Sequence, residues 1–173
     1  MTIIVQKYGG SSLNGVTRIR QVAARISGTN RQSHKVVAVV SAMSNSTDNL
    51  IKLAQKLTIS PDDRELDLLM STGKLVSATL MTMALKDMGC RSISLSGLQA
   101  GIQTDNQCRR ARIINIETKR IHEELARGNV VIVTGFQGTS LGMEITTSEI
   151  RTTWVIPEMQ AQLRFNLSTN FLD

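Results

Sequence analysis

The sequence predicts an α/β fold on a mainly parallel sheet, and three observations predict it. Short β-branched runs alternate with stretches of helical period from residue 2 to about residue 135, the pattern of successive βα units. Glycine-marked polar loops follow the strands, at the end of an open α/β sheet where ligands gather. The 173 residues, 41% hydrophobic and 20% charged, suffice for one domain with a substantial core, or a domain with a tail.

Taken in order, Ile3, Ile4 and Val5 suit a buried strand, and Lys7, Tyr8, Gly9, Gly10, Ser11 and Ser12 follow at once. A cation, two glycines that can take φ > 0 or admit a ligand, and two hydroxyls make a candidate anion site at the strand's carboxyl end. The plainer alternative is a strand-ending turn with a solvated lysine. Residues 14–28 set Val16, Ile19, Val22, Ala23 and Ile26 on one stripe, an amphipathic helix with Asn14 as cap and Gly28 as stop. Residues 35–41 form a buried strand, 41–49 a polar loop, and 47–57 a helix capped by Thr47 or Asp48. Pro61 opens a region that reads as two apolar helices, 61–70 and 74–89, around Ser71-Thr72-Gly73. A strand at 90–96, a glycine-punctuated loop at 97–105 and a short strand at 111–116 come next. The chain continues with a helix at 117–128 stopped by Gly128, a strand at 129–135 and a loop at 135–142. Met70, Met81, Met83 and Met88 sit at helical spacing and are assigned to the core. His34 and His122 are isolated and assigned structural or solvated roles.

The formal net charge of +6 could serve a nucleic acid backbone. Against that, acids interleave with the cations, aromatics are only 3%, and no nucleic-acid-binding motif is present. A basic face for nucleotide phosphates or an acidic metabolite accounts for the same charge. Apolar runs such as VVAVV at 36–40 are too short to span a bilayer. Lys7 and the glycines interrupt any leader-like opening, so a cytoplasmic location is expected, with no membrane partner. Cys90 and Cys108 lack metal-ligand spacing and read as reduced thiols, and no metal site is expected. Residues 148–173 contain no glycine yet hold Trp154, Phe165 and Phe171, three of the five aromatics. They read as a divergent tail.

Four segments, KYGGSS at 7–12, VVSAMSNSTDNL at 39–50, RELDLLMSTGKLVS at 64–77 and VTGFQGTSLGMEITT at 133–147, resemble in order and spacing the amino-terminal part of aspartate kinase. SLSGLQAGIQTD at 94–105 and GFQG at 135–138 fall where that family places them too. The resemblance implies an amino acid kinase fold, an αβα sandwich around a mainly parallel sheet, here incomplete. It also implies transfer of the γ-phosphoryl of MgATP to the β-carboxylate of L-aspartate, the first step toward lysine, threonine and methionine. MgATP would be a substrate, with no tightly bound cofactor. Carried over by position, Lys7 would contact the transferring phosphates, and Gly9, Gly10 and Ser11 would cradle them. Ser41 and Thr47 would bond the aspartate. Charge neutralisation and positioning suit this reaction, because two anions must meet.

Two departures qualify the resemblance. Where the family reads S-T-G-E, this chain reads Ser71-Thr72-Gly73-Lys74, and the family's glutamate is the expected partner of the substrate ammonium. Two cations about 4 Å apart repel by roughly 1 to 4 kcal/mol at effective dielectrics of 80 to 20, unless Lys74 turns to solvent. After GMEITT the family continues L-G-R-G-G-S-D, and this chain reads SEIRTTWVIPEMQ. The sequence therefore divides into a partial amino acid kinase domain, the acceptor lobe, at 1–147 and the tail at 148–173. The implied enzyme is inactive as this chain alone. The alternative is a non-catalytic binding or assembly module that forms a homo-oligomer or pairs with a full-length kinase, and nucleic-acid binding ranks last.

Overall fold

The computed structural model describes residues 2–147 and Met159. In chain order these form β1 (Ile3–Tyr8), a 3-10 turn (Ser11–Leu13), α1 (Val16–Arg31), β2 (Lys35–Val40), α2 (Ser46–Leu57) and α3 (Asp63–Asp87). There follow β3 (Ser92–Leu95), β4 (Ile102–Thr104), β5 (Ile113–Ile116), α4 (Lys119–Ala126), β6 (Val130–Thr134), β7 (Gln137–Ser140) and β8 (Ile145–Thr147).

Four strands make a wholly parallel sheet in the order β1-β2-β6-β3. Its two central strands carry Val36, Val37, Val39, Val40, Val131, Ile132 and Val133, all buried, as a parallel sheet covered on both faces requires. Alternation divides them between two cores. Val36, Ala38, Val40 and Ile132 pack with Ile19, Val22 and Ile26 of α1 and Met81 and Leu85 of α3. Val37, Val39, Val131 and Val133 face the other way, toward Ile121 and Leu125 of α4, Ile102, Ile116 and Met159. The protein is thus an αβα sandwich around a parallel sheet, the architecture expected from the sequence. A second sheet, β5-β4-β7-β8, is mixed: β4 and β7 are parallel, and β5 and β8 pair antiparallel at its edges.

Several local expectations are corrected. The helices expected at 61–70 and 74–89 are one 25-residue α3, begun not at Pro61 but after Asp62, whose side chain accepts from the Glu65 amide at 3.1 Å. A glycine inside a helix costs about 1 kcal/mol. Here the buried stripe of Leu66, Met70, Ala78, Met81 and Leu85 stays in phase across residues 71–74 and outweighs it. The Ser71 and Thr72 hydroxyls bond back to the Leu68 and Leu69 carbonyls, each at 2.7 Å. Gly73 faces α2, where a Cβ would lie 3.4 Å from Leu50 Cδ1, near ordinary contact distance.

For the same reason α1 runs through Gly28 to Arg31, since Ile26 and Ser27 are still buried against the sheet. Its N-cap is Gly15 at φ 87°, not Asn14, and Val16 is 70% exposed instead of joining the stripe. Asn45, at φ 66°, caps α2, so Thr47 and Asp48 lie inside its first turn. The expected loops at 97–105 and 135–142 contain β4 and β7, strands too short to carry a period. Met70 and Met81 are core, Met88 packs beside it, and Met83 is 64% exposed. Among the described residues α3 alone is long and apolar enough to cross a membrane, but half of that stretch is buried inside the fold. It is a core helix that packs on the sheet with its ionisable Asp67 and Lys74 also buried.

Candidate functional site

The carboxyl ends of β1, β2 and β6 lie together, because Lys7 pairs with Val39, Tyr8 with Val40, and Val40 with Thr134. The Ser41 amide donates to the Tyr8 carbonyl at 3.1 Å, and the Gly135 amide to the Val40 carbonyl at 2.8 Å. Three chain turns are thereby tied into one edge, the end of a parallel sheet that open α/β folds use for ligands.

Lys7 is partly buried in β1 on the same side of the strand as Ile3 and Val5, while Tyr8 turns into the opposite core. Burial pushes the Tyr8 hydroxyl up to about 12, against the opposing pull of Arg25, and it donates to Gln6 Oε1 at 3.1 Å. The two glycines expected to act together have separate roles, and neither takes a positive φ. Gly9 borders open space, with nothing within 4 Å of an added Cβ. Gly10 is pressed against the loop after β2, where a Cβ would fall 2.8 Å from the Ala42 carbonyl oxygen. Its own carbonyl accepts from Leu13 at 3.1 Å and Ser44 at 3.2 Å. Gly9 therefore borders open space, while Gly10 is held close against the loop after β2. Ser11 is exposed at the start of the 3-10 turn.

Ser41 opens the loop that leads to α2, and Thr47 is the second residue of that helix, both partly buried. The amino terminus of α2 thus lies at the same edge as Lys7. The Met43 amide donates to Ser77 Oγ at 3.1 Å, fastening this loop to α3. Lys74, also on α3, does not turn to solvent. It is 7% exposed, and its Nζ donates to the Phe136 carbonyl at 2.8 Å and sits 5.9 Å from that ring's centroid. Phe136 has φ 55°, so this lysine reaches a left-handed residue in the turn between β6 and β7. Lys74 approaches the edge from the α3 side of the sheet and Lys7 from the other side.

Asp67 was not singled out from the sequence. Fully buried on α3, it accepts from the Arg109 amide at 2.8 Å, the Thr147 amide at 3.0 Å and, in a short bond, the Thr147 hydroxyl. One acid on an apolar helical stripe was the available signal. It was obscured when the helix was divided at Ser71. Three further buried atoms, Thr134 Oγ1, Gln137 Oε1 and Thr139 Oγ1, have no hydrogen-bond partner among the described residues. They belong to β6 and β7, which flank the Phe136 turn. Cys108, near Asp67, Asp63 and Asp62, has its thiol pushed up by burial and by those three carboxylates. An open depression of about 480 Å³ lined by Lys86, Cys90, Arg91 and Asn129, among others, lies at the amino ends of β3 and β6. That is the opposite end of the sheet.

Residues 2–165 match the amino acid kinase family. The aspartokinase of Geobacillus stearothermophilus is 47% identical over 147 residues, which are 85% of this chain and 36% of that protein. The crystal structure of aspartate kinase from Synechocystis superposes with a TM-score of 0.78 at 36% identity, covering 95% of this chain and 27% of that one. Escherichia coli aspartokinase III in complex with lysine and aspartate gives a TM-score of 0.81 at 17% identity, covering 94% of this chain and 47% of that one, a likeness of fold. The chain spans about a third of the length of the curated relatives it matches. It belongs to the amino acid kinase family.

Proposed function

We propose that this member of the amino acid kinase family carries the acceptor side of an aspartate kinase site, in which the γ-phosphoryl of MgATP passes to the β-carboxylate of L-aspartate. The observation that carries the proposal is the single edge formed by Lys7, Gly9, Ser41 and the start of α2 at the carboxyl ends of two adjacent parallel strands. Lys7 neutralises charge between the two approaching anions, and the open space at Gly9 admits the phosphates. Ser41 and Thr47 orient the amino acid. Magnesium enters with the nucleotide phosphates, as is usual for this ion. Residues 1–147 constitute the acceptor lobe and 148–173 a divergent tail.

Lys74 sets this site apart. Its buried ammonium stands where the resemblance places a glutamate for the substrate amine, and it is bonded to the Phe136 carbonyl. The attraction for the amine is replaced by a repulsion, so the 173 residues alone form no aspartyl phosphate.

Two measurements test the two halves of this proposal. Millimolar L-aspartate should bind the purified chain in a calorimetric titration, and Ser41→Ala with Thr47→Ala should abolish the heat. Absence of binding, or binding indifferent to these substitutions, overturns the acceptor assignment. Hydroxylamine trapping with MgATP and aspartate should yield no hydroxamate above a Lys7→Ala control, and clear product from the wild-type chain overturns the inactivity.

A further inference from the structure

The turn between β6 and β7 gathers unfavourable features at the ligand edge. Phe136 takes φ 55°, a left-handed conformation that a bulky side chain rarely adopts and that persists only where the surroundings hold it. Thr134 Oγ1 and Gln137 Oε1 flank the turn and have no hydrogen-bond partner among the described residues. Their side chains are 0 and 5% exposed, a setting in which polar atoms are nearly always paired. Both face α3. Thr134 continues the alternation of Val130 and Ile132, which pack with Met81 and Leu85 of that helix. Gln137 lies opposite Thr147, whose hydroxyl bonds Asp67 of the same helix, and opposed residues of an antiparallel pair share a face. Lys74 reaches the turn from α3, with its Nζ 2.8 Å from the Phe136 carbonyl. One residue earlier, α3 meets the loop that begins at Ser41: a Cβ on Gly73 would lie 3.7 Å from Ala42 Cβ and 3.8 Å from Ser46 Cβ. A buried ammonium, a left-handed turn and two unsatisfied side chains thus meet beside the acceptor residues, and the bond from Lys74 holds the turn as it is.

We propose that this edge takes a small dicarboxylate without an ammonium group, and that one carboxylate of the ligand draws Lys74 off the Phe136 carbonyl and so releases the β6–β7 turn. This rests on the acceptor site proposed above and names its ligand class. A carboxylate is a stronger acceptor for an ammonium than a neutral carbonyl is. The released turn leaves the left-handed conformation, and the Thr134 hydroxyl and the Gln137 amide oxygen gain partners on the ligand and the waters that enter with it. An ammonium on the ligand meets Lys74 as a like charge, in surroundings too buried for salt to screen the repulsion. Relief of the turn adds to the affinity, because the ligand binds the released state and not the held one. The described state is therefore the ligand-free one, with Lys74 as its latch.

Succinate and L-aspartate share a four-carbon chain with two carboxylates and differ in the ammonium, so calorimetric titration of the whole chain with each tests the proposal. Succinate should bind about tenfold more tightly. Lys74→Gln, which keeps a donor for the Phe136 carbonyl and loses the charge, should erase that difference, with folding checked by circular dichroism. Thr134→Val removes an unpaired hydroxyl, and Phe136→Gly suits the left-handed turn. Each should melt no lower than wild type yet bind succinate several-fold more weakly, because a relieved ligand-free state has less to gain from the ligand. These two carry the test should Lys74→Gln not fold. Aspartate bound as tightly as succinate overturns the proposal, and so does a preference that survives Lys74→Gln. Succinate affinity unchanged in both Thr134→Val and Phe136→Gly overturns it too, since a turn with a purely structural role gives that result. Ser41→Ala with Thr47→Ala separates this proposal from the acceptor assignment. If that pair abolishes binding but wild type shows no preference for succinate, the assignment stands and the ligand class falls. If a preference dependent on Lys74 ignores the pair, the acceptor assignment falls and the latch stands. Absence of binding by either ligand overturns both.

Discussion

Replacing Asp67 should destabilise the fold more than any single substitution at the ligand edge. Its carboxylate is fully buried and takes three donors, two from Thr147, 80 residues away in sequence, and one from Arg109, 42 away. It thereby holds β8 and the segment before β5 against α3. Asp67→Ala leaves two amides and a hydroxyl without an acceptor. At about 1–3 kcal/mol for each buried unpaired group, moderated by water entering the space left, the expected loss is about 3–5 kcal/mol. Asp67→Asn keeps the shape but turns one acceptor into a donor facing a donor, for roughly half that loss. Thr147→Val removes only the hydroxyl bond and should cost about 1 kcal/mol. Urea denaturation followed by circular dichroism gives the order directly. With a slope of about 1–3 kcal/mol/M, the alanine variant should lose roughly 2 M of midpoint. If Asp67→Ala costs under about 1 kcal/mol, the donors find water and the clamp is not structural. If Asp67→Asn is stabilising, desolvation of the carboxylate outweighs its bonds and the account of this residue is wrong.

The two adjacent glycines should behave differently. Gly10→Ala forces a methyl group toward the Ala42 carbonyl and should cost about 2 kcal/mol or more in thermal or urea melts. Gly9→Ala should melt like wild type and weaken only phosphate-ligand binding. Tyr8 predicts an alkaline limit: its folded value of about 12 exceeds the ordinary 10, so the unfolded chain loses this proton first and stability falls as pH rises from 10 to 12. Tyr8→Phe should flatten that part of a stability-against-pH curve, and an unchanged slope would assign the loss to other groups. Lys74→Met removes the donor to the Phe136 carbonyl and should lower stability by about 1–3 kcal/mol. A variant as stable as wild type would mean that the Phe136 turn does not depend on this bond.

Periodicity and punctuation determined most of the architecture. The β-branched runs at 3–5, 36–40 and 130–133 suited buried strands, and the helical stretches between them pointed to parallel crossovers, so a parallel α/β sheet was legible before any contact was known, while the αβα sandwich followed from the family resemblance. The phosphate-side candidates were legible because Lys7 and Gly9 sit at a strand's end, where local sequence specifies position. Tertiary structure decided what depended on neighbours distant in sequence. Whether Ser71-Thr72-Gly73 breaks a helix is settled by packing against α2 and the sheet, which overrides a propensity of about 1 kcal/mol. The difference between Gly9 and Gly10 exists only because the Ala42 carbonyl lies against one of them. Lys74 could be assigned a charge but not a direction until Phe136, 62 residues away, supplied a carbonyl to hold it. Asp67 had no assignment from the sequence, and its role rests on Arg109 and Thr147, which bring it three donors. A residue's period is written in its own stretch of chain, whereas the partners that make a buried charge tolerable come from elsewhere in the fold.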